Sequence, residues 1–196
     1  MNSLVLLPVV AVALAASRFP APPVTTAGEI YAIVAVHSSV TFRVLHANAT
    51  NFYGVFKQLN GEFTVDAAKP EDNKVAVKIA TESIDSRDDK RDQHLRSPDF
   101  FDAKQFPDIS FTSSKVTKKG DDLEVTGTLE MHGKKKELTL AVKKTGEGEF
   151  NKAKVVGYET SFTVKRSDFG MNYGVAQKVL GDEVQVTIAV EASPKK

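Results

Sequence analysis

From Glu29 to Ser193 apolar side chains recur at every second residue, in runs broken roughly every ten to fifteen residues by clusters of Gly, Asn, Asp and Lys. A two-residue period puts alternate side chains on opposite faces of an extended chain, so such a sequence must build sheet with one dry face and one wet face. Val40, Phe42 and Val44 alternate with Ser39, Thr41 and Arg43, and His46 falls in the apolar register. Phe63 and Val65 mark a second run, Val75, Val77 and Ile79 a third, and Ile109 and Phe111 a fourth. Leu123, Val125, Leu129 and Met131 mark a fifth, which breaks at His132-Gly133 as a hairpin into a sixth at Leu138, Leu140 and Val142. Val156, Tyr158, Phe162 and Val164 form the seventh, and Val184, Val186, Ile188 and Val190 the eighth. Eight is the strand number that closes a small antiparallel barrel, whose interior is either filled by side chains or left as a ligand cavity. The expected fold is therefore all-β, an eight-stranded antiparallel barrel with one short helical insertion. Small residues at candidate inward positions (Gly61, Gly127, Thr160), together with the Phe and Val lining, favour an apolar cavity.

Only the segment from Ser83 to Pro107 abandons that period. It is dense in charge and helix formers, with Asp85, Ser86 and Asp88 as candidate N-caps and Pro98 as a stop, which predicts one helix and a shorter helical turn. Phe100, Phe101 and Phe106 follow at once, so this connection should lay aromatic rings on a barrel mouth as a lid. Ahead of the strands, residues 1–16 hold thirteen apolar residues and no charge, and end in small residues. They read as a secretory signal peptide, too short to span a bilayer. Residues 17–28, rich in Pro, read as a flexible lead-in, and residues 29–193 as a single domain.

Composition narrows the chemistry. With no Cys, there is no disulfide framework, thiolate nucleophile or Cys-ligated metal, and the four His (37, 46, 94, 132) show no ligand spacing. No serine sits in a G-x-S-x-G elbow. Twenty-six basic against twenty-five acidic residues leave a net charge of +1, too small to steer the chain toward nucleic acid. The carboxylates of the 85–102 segment are interleaved with Arg87, Lys90, Arg91 and Arg96, the pattern of a solvated, ion-paired helix.

HSSVTFRVLHA at 37–47, SIDSRDDKRDQHLRSPDFFDAKQFPDISF at 83–111, GTLEMHGKKKELTL at 127–140 and KRSDFGM at 165–171 together resemble the YceI-like family of bacterial periplasmic or secreted polyisoprenoid-binding proteins. The resemblance covers about 165 residues, with RDxHLRSxDFFD its most specific element, and Tyr158 stands where the family more often has Phe. It implies a lipocalin-like barrel with a long apolar tunnel holding an isoprenoid-tailed amphiphile, with no catalytic activity established for the family as a whole. The chain is then expected to be a non-catalytic carrier or store, periplasmic or secreted, for an isoprenoid lipid such as a polyprenyl phosphate or a quinone. Its contact with a membrane surface should be transient, a homodimer is an open arrangement, and neither cofactor nor nucleic acid is expected. The alternative is an envelope stress-response enzyme or module acting on a smaller apolar substrate in the same barrel.

The inward register supplies the tunnel candidates: Phe42, Val44, Phe63, Phe111, Tyr158 and Phe162 on strands, Phe100 and Phe101 under the lid, and Phe169 and Met171 beyond the last charged pair. His46, Arg96 and Arg166 are the candidates for a head group at the mouth, with Asp168 expected to hold one of the arginines. A charged pair at a strand end is costly unless it pairs internally or meets a ligand, and both readings of Arg166-Asp168 stay open on the residues alone.

Overall fold

The computed structural model describes residues 28–66 and 69–195; the expected leader over 1–16 and all but the last residue of the lead-in over 17–28 lie outside the described residues. The strands are β1 (Glu29–Ile33), β2 (Ser39–His46), β3 (Thr50–Phe56), β4 (Leu59–Val65), β5 (Val75–Ala80), β6 (Ile84–Asp85), β7 (Asp108–Lys119), β8 (Asp122–Met131), β9 (Lys134–Phe150), β10 (Ala153–Lys165) and β11 (Leu180–Pro194). A single α-helix among the described residues, α1 (Asp89–Leu95), separates β6 from β7.

Antiparallel pairing runs β1-β4-β5-β7-β8-β9-β10-β11 and returns from β11 to β1, closing a ring of eight. The other three segments are continuations of ring strands across a bend. β1 and β2 both pair with β11, as Tyr31 opposite Pro194 and Phe42 opposite Val186 show. β3 pairs with β2 where β4 pairs with β1, and β6 pairs with β3 where β5 pairs with β4. The breaks fall at 34–38, 57–58 and 81–83, with short 3-10 turns at Ala35–His37 and Thr81–Ser83. The expected eight runs are thus one per ring position. What the alternation did not reveal is that three positions are bent, which adds β1, β3 and β6. Closure removes the raw sheet edge that an open sheet would present.

At the β8–β9 hairpin His132 (φ 51) and Gly133 (φ 70) are both left-handed, the backbone that matches the twist of the flanking strands. The helical insertion is short, as expected: α1 has seven residues, and hydrogen-bonded turns follow over 97–106, among them Phe106 N–H to the Asp102 carbonyl at 2.8 Å. Of the three candidate caps Asp88 is the one used, its carboxylate accepting from the Arg91 N–H at 2.8 Å. Asp85 instead accepts from the Arg87 N–H, and the buried Ser86 is bonded to the carboxylate of Asp92. The core follows the barrel interior: one cluster centres on Val40, Phe56, Ile84, Leu129 and Phe169 near α1, the other on Tyr31, Phe63, Val156 and Tyr158 toward the opposite end, the hairpin end, where the β7–β8 and β9–β10 hairpins turn.

Candidate functional site

Inward positions of the ring strands enclose a cavity that runs from beneath α1 to the hairpin end. Its volume is about 200 Å³. Its wall is almost wholly hydrocarbon. Under α1 lie Leu95, Phe100, Phe101, Met171 and Leu180; at mid-height lie Phe42, Phe56, Phe111, Val125, Leu129 and Phe162; at the hairpin end lie Phe63, Val75, Leu123, Val142 and Tyr158. Two of the mid-height rings owe their position to glycines. Phe42 lies over Gly54 on β3 and Phe111 over Gly127 on β8, so a Cβ at either glycine would strike the ring, and at Gly127 also the Thr112 carbonyl. Gly127 is therefore already covered by a ring, and Gly61 stands against the Ala76 carbonyl and the Ile33 side chain, so neither expected inward glycine is vacant space.

The aromatic wall is organised by edge contacts. Phe56 meets Phe42 at 5.8 Å between ring centres and Phe101 at 5.5 Å, nearly perpendicular. At the far end Tyr31 stacks on Phe63 at 5.5 Å, and Phe63 meets Tyr158 edge-on at 5.5 Å. Above the α1 end, His94 packs edge-on against both Phe100 (5.0 Å) and Tyr173 (4.9 Å), joining the helix to the loop that leads into β11.

Nine of the ten apolar candidates line this cavity: Phe42, Val44, Phe63, Phe100, Phe101, Phe111, Tyr158, Phe162 and Met171. Phe169 does not. It is fully buried in the core beside the cavity, its carbonyl accepting from His132 Nδ1 at 2.9 Å. The polar candidates are not brought together. His46 is exposed at the end of β2, opposite Thr50 and Leu180, one step beyond Val44 where the strand leaves the cavity. Arg96 closes α1 and turns away from the cavity, donating to the carbonyls of Glu82 (2.9 Å) and Ile84 (2.8 Å), so it ties the helix to the bend between β5 and β6. Asp168 holds no arginine; it pairs with Lys136 at 2.5 Å, because β9 carries that lysine to the same rim.

Arg166 alone among the four reaches the cavity wall, and it is buried. Its Nε donates to the Gly181 carbonyl (2.8 Å), Nη1 to Met171 (2.8 Å) and Nη2 to Leu180 (2.9 Å), so one guanidinium ties both ends of the 171–181 loop to the barrel. Burial pushes its pKa down from the usual arginine value, and the field of Asp182 opposes that. Asp182 is bound in turn by the N–H (2.9 Å) and hydroxyl (2.8 Å) of Ser167. Burial works to raise its carboxyl, but those two hydrogen bonds and the nearby Arg166 and Lys165 outweigh it and hold the group below the ordinary aspartate range.

At the far end sequence reasoning named Tyr158 as a wall residue but passed over the lysine beside it, Lys144. Tyr158 is 8% exposed, and its hydroxyl has no hydrogen-bond partner among the described residues. Burial raises its pKa, with the Lys144 ammonium opposing, so it stays a protonated donor at neutral pH. Lys144 faces it across β9 and β10. A lysine beside the apolar Val142 register gives only a one-residue signal, which is why the alternation hid it.

Comparison with known proteins follows the same lines. Residues 31–192 match the family described as the YceI-like domain. Protein YceI of Salmonella newport (strain SL254) is 37% identical over 161 residues, 82% of this chain and 83% of that protein. Among solved structures, BcnA of Burkholderia cenocepacia matches with a TM-score of 0.73 and 25% identity, over 81% of this chain and 98% of its own. A polyisoprenoid binding domain from Saccharophagus degradans matches with a TM-score of 0.65 over 84% of this chain and 98% of its own; at 15% identity that likeness speaks for the fold alone.

Proposed function

The chain belongs to the YceI-like family, and from that premise we propose that it binds a long isoprenoid-tailed lipid within the barrel, as a non-catalytic carrier or store in the periplasm or outside the cell. The observation that carries the reading is the cavity itself: a closed eight-stranded ring whose inward faces stay hydrocarbon along its length. A branched, unsaturated tail fits a wall of Phe, Val, Ile and Leu, and the Saccharophagus degradans domain of the same fold is described as polyisoprenoid-binding. Each five-carbon unit removed from water contributes roughly 3 to 4 kcal/mol before ordering costs, so a few units approach the practical ceiling of affinity. Selectivity then rests on tunnel length and on the polar groups at its ends.

Native mass spectrometry of the full chain purified from its own source should show one bound molecule that organic extraction returns as an unmodified isoprenoid-tailed lipid. Lipid-free protein that also fails to take up a prenyl lipid added in detergent overturns the reading. The leader belongs to the same proposal: amino-terminal sequencing of the exported protein should begin near Ser17, and an intact Met1 overturns it.

A further inference from the structure

Three exposed apolar side chains meet on the outer surface beside the α1 end of the barrel. Tyr173 and Val179, in the loop that leads into β11, are 51% and 49% exposed, and Leu45 near the end of β2 is 39% exposed. Backbone contacts bring them together. The Val179 N–H donates to the Gly174 carbonyl at 3.1 Å, and the Ala47 N–H donates to the Val179 carbonyl at 2.8 Å. Gly181 packs on Leu45 so closely that a Cβ there would stand 3.2 Å from the Leu45 carbonyl. The patch is also continuous with the cavity: the Tyr173 ring lies 5.2 Å from that of Phe100, Val179 is followed by Leu180, and both Phe100 and Leu180 line the cavity.

The charge around the patch is of one sign. Residues 36–57 and 170–181, which supply both segments, contain no Asp or Glu. Lys178 stands in the loop, Arg43 lies two residues before Leu45 on the same face of β2, and the Lys134 ammonium reaches within 3.2 Å of where a Gly170 Cβ would be. None of the three has a carboxylate partner among the described residues. The carboxylates that adjoin the patch are answered elsewhere: Asp99 by His94 at 2.9 Å, Asp182 by Ser167, Asp168 by Lys136, while Glu183 stands opposite Lys165 in register.

We propose that this is a membrane-docking face: Tyr173, Val179 and Leu45 enter the interfacial layer of an anionic bilayer, and Lys134, Lys178 and Arg43 meet its head groups. Apolar and aromatic side chains rimmed by cations suit that layer, where each Lys or Arg gains from the negative surface potential. The choice of a bilayer over a second protein rests on the reading of the cavity as a lipid site. A lipid leaving the membrane at this face meets hydrocarbon from the bilayer to the cavity wall, by way of Phe100 and Leu180.

The full chain has no tryptophan, so a single reporter can be placed at either end of the barrel. Val179→Trp puts it in the patch; Phe150→Trp puts it on the β9–β10 hairpin, at an equally exposed apolar position. With vesicles of phosphatidylcholine and phosphatidylglycerol, emission from Val179→Trp should shift to the blue and be quenched by lipid brominated on its acyl chains, while Phe150→Trp stays as in buffer. Adding Lys134→Gln and Lys178→Gln should weaken vesicle binding about tenfold or more at low salt. Adding Leu45→Ser and Tyr173→Ser instead should weaken it by about tenfold. Equal quenching at the two reporters, or binding that neither pair of substitutions weakens, overturns the docking face. So does a blue shift that appears without vesicles and grows with protein concentration, because a second copy then covers the patch. Uptake of a prenyl lipid from detergent by a wild type that ignores vesicles overturns the docking face and leaves the lipid reading; docking on vesicles without such uptake does the reverse.

Discussion

Arg166 shows what a single residue can and cannot announce. Its sequence context, a charged side chain closing a strand of alternating apolar residues, says that the charge must be answered, but the identity of the partner depends on a loop that returns fifteen residues later. That return is set by packing, so the main-chain carbonyls of 171, 180 and 181 were not readable in advance. The same holds for Asp168 and Lys136, which are adjacent only because β9 and β10 are. Asp182 makes this arrangement sensitive to acid. Its folded carboxyl lies below its unfolded value, so its contribution is fully present above about pH 4 and is lost as pH falls through the folded value. Between roughly pH 5 and pH 3, thermal melts should show the wild type losing stability more steeply than Asp182→Asn, which starts lower and carries no charge to titrate. Parallel slopes for the two proteins would mean that Asp182 does not couple the loop to pH.

The elements were legible in proportion to their length. Long strands such as β8 and β10 carry enough alternation to be assigned from their apolar residues, whereas β1, with five residues, and β6, with two, offer too few positions. β3 is hidden differently: Phe52 and Phe56 keep its inward register, but Gly54 stands between them because Phe42 occupies that space. The helix was foreseen and its fastening was not. Asp92 is buried and accepts from the Ser86 N–H at 2.7 Å and from the Ser86 hydroxyl. Arg91 reaches the Ser86 hydroxyl (2.9 Å) and carbonyl (2.6 Å), and its guanidinium lies 4.3 Å from the centre of the Phe52 ring. The lid is therefore tied to the barrel wall by a polar knot. Asp92→Ala strands the buried Ser86 N–H and should cost about 3 kcal/mol, against about 1 kcal/mol for Asp88→Ala, which loses only an exposed cap. Denaturant melts of the two variants decide it, and equal costs would place the fastening elsewhere.

At the scale of the molecule, the ring depends on its two ends meeting. Ala192, Ser193 and Pro194 pair with Ile33, Ala32 and Tyr31, and the Lys195 N–H donates to the Ile30 carbonyl at 2.7 Å. Contacts so far apart in sequence are costly to form and slow to find. Removing residues 191–196 should open the barrel, lower the melting temperature by roughly 10 °C or more, and expose raw sheet edges that self-associate on gel filtration. A truncated chain that stays monomeric with an unchanged melt would show that closure is dispensable. The three bends of the wall have a mechanical consequence. They lie side by side across β1–β2, β3–β4 and β5–β6, whereas β7 to β11 run unbroken for ten to seventeen residues each. Five of the eight ring positions thus carry long continuous ladders and three form a wall scored along a single line, so any widening of the barrel is expected to come from bending at the score before the long ladders part.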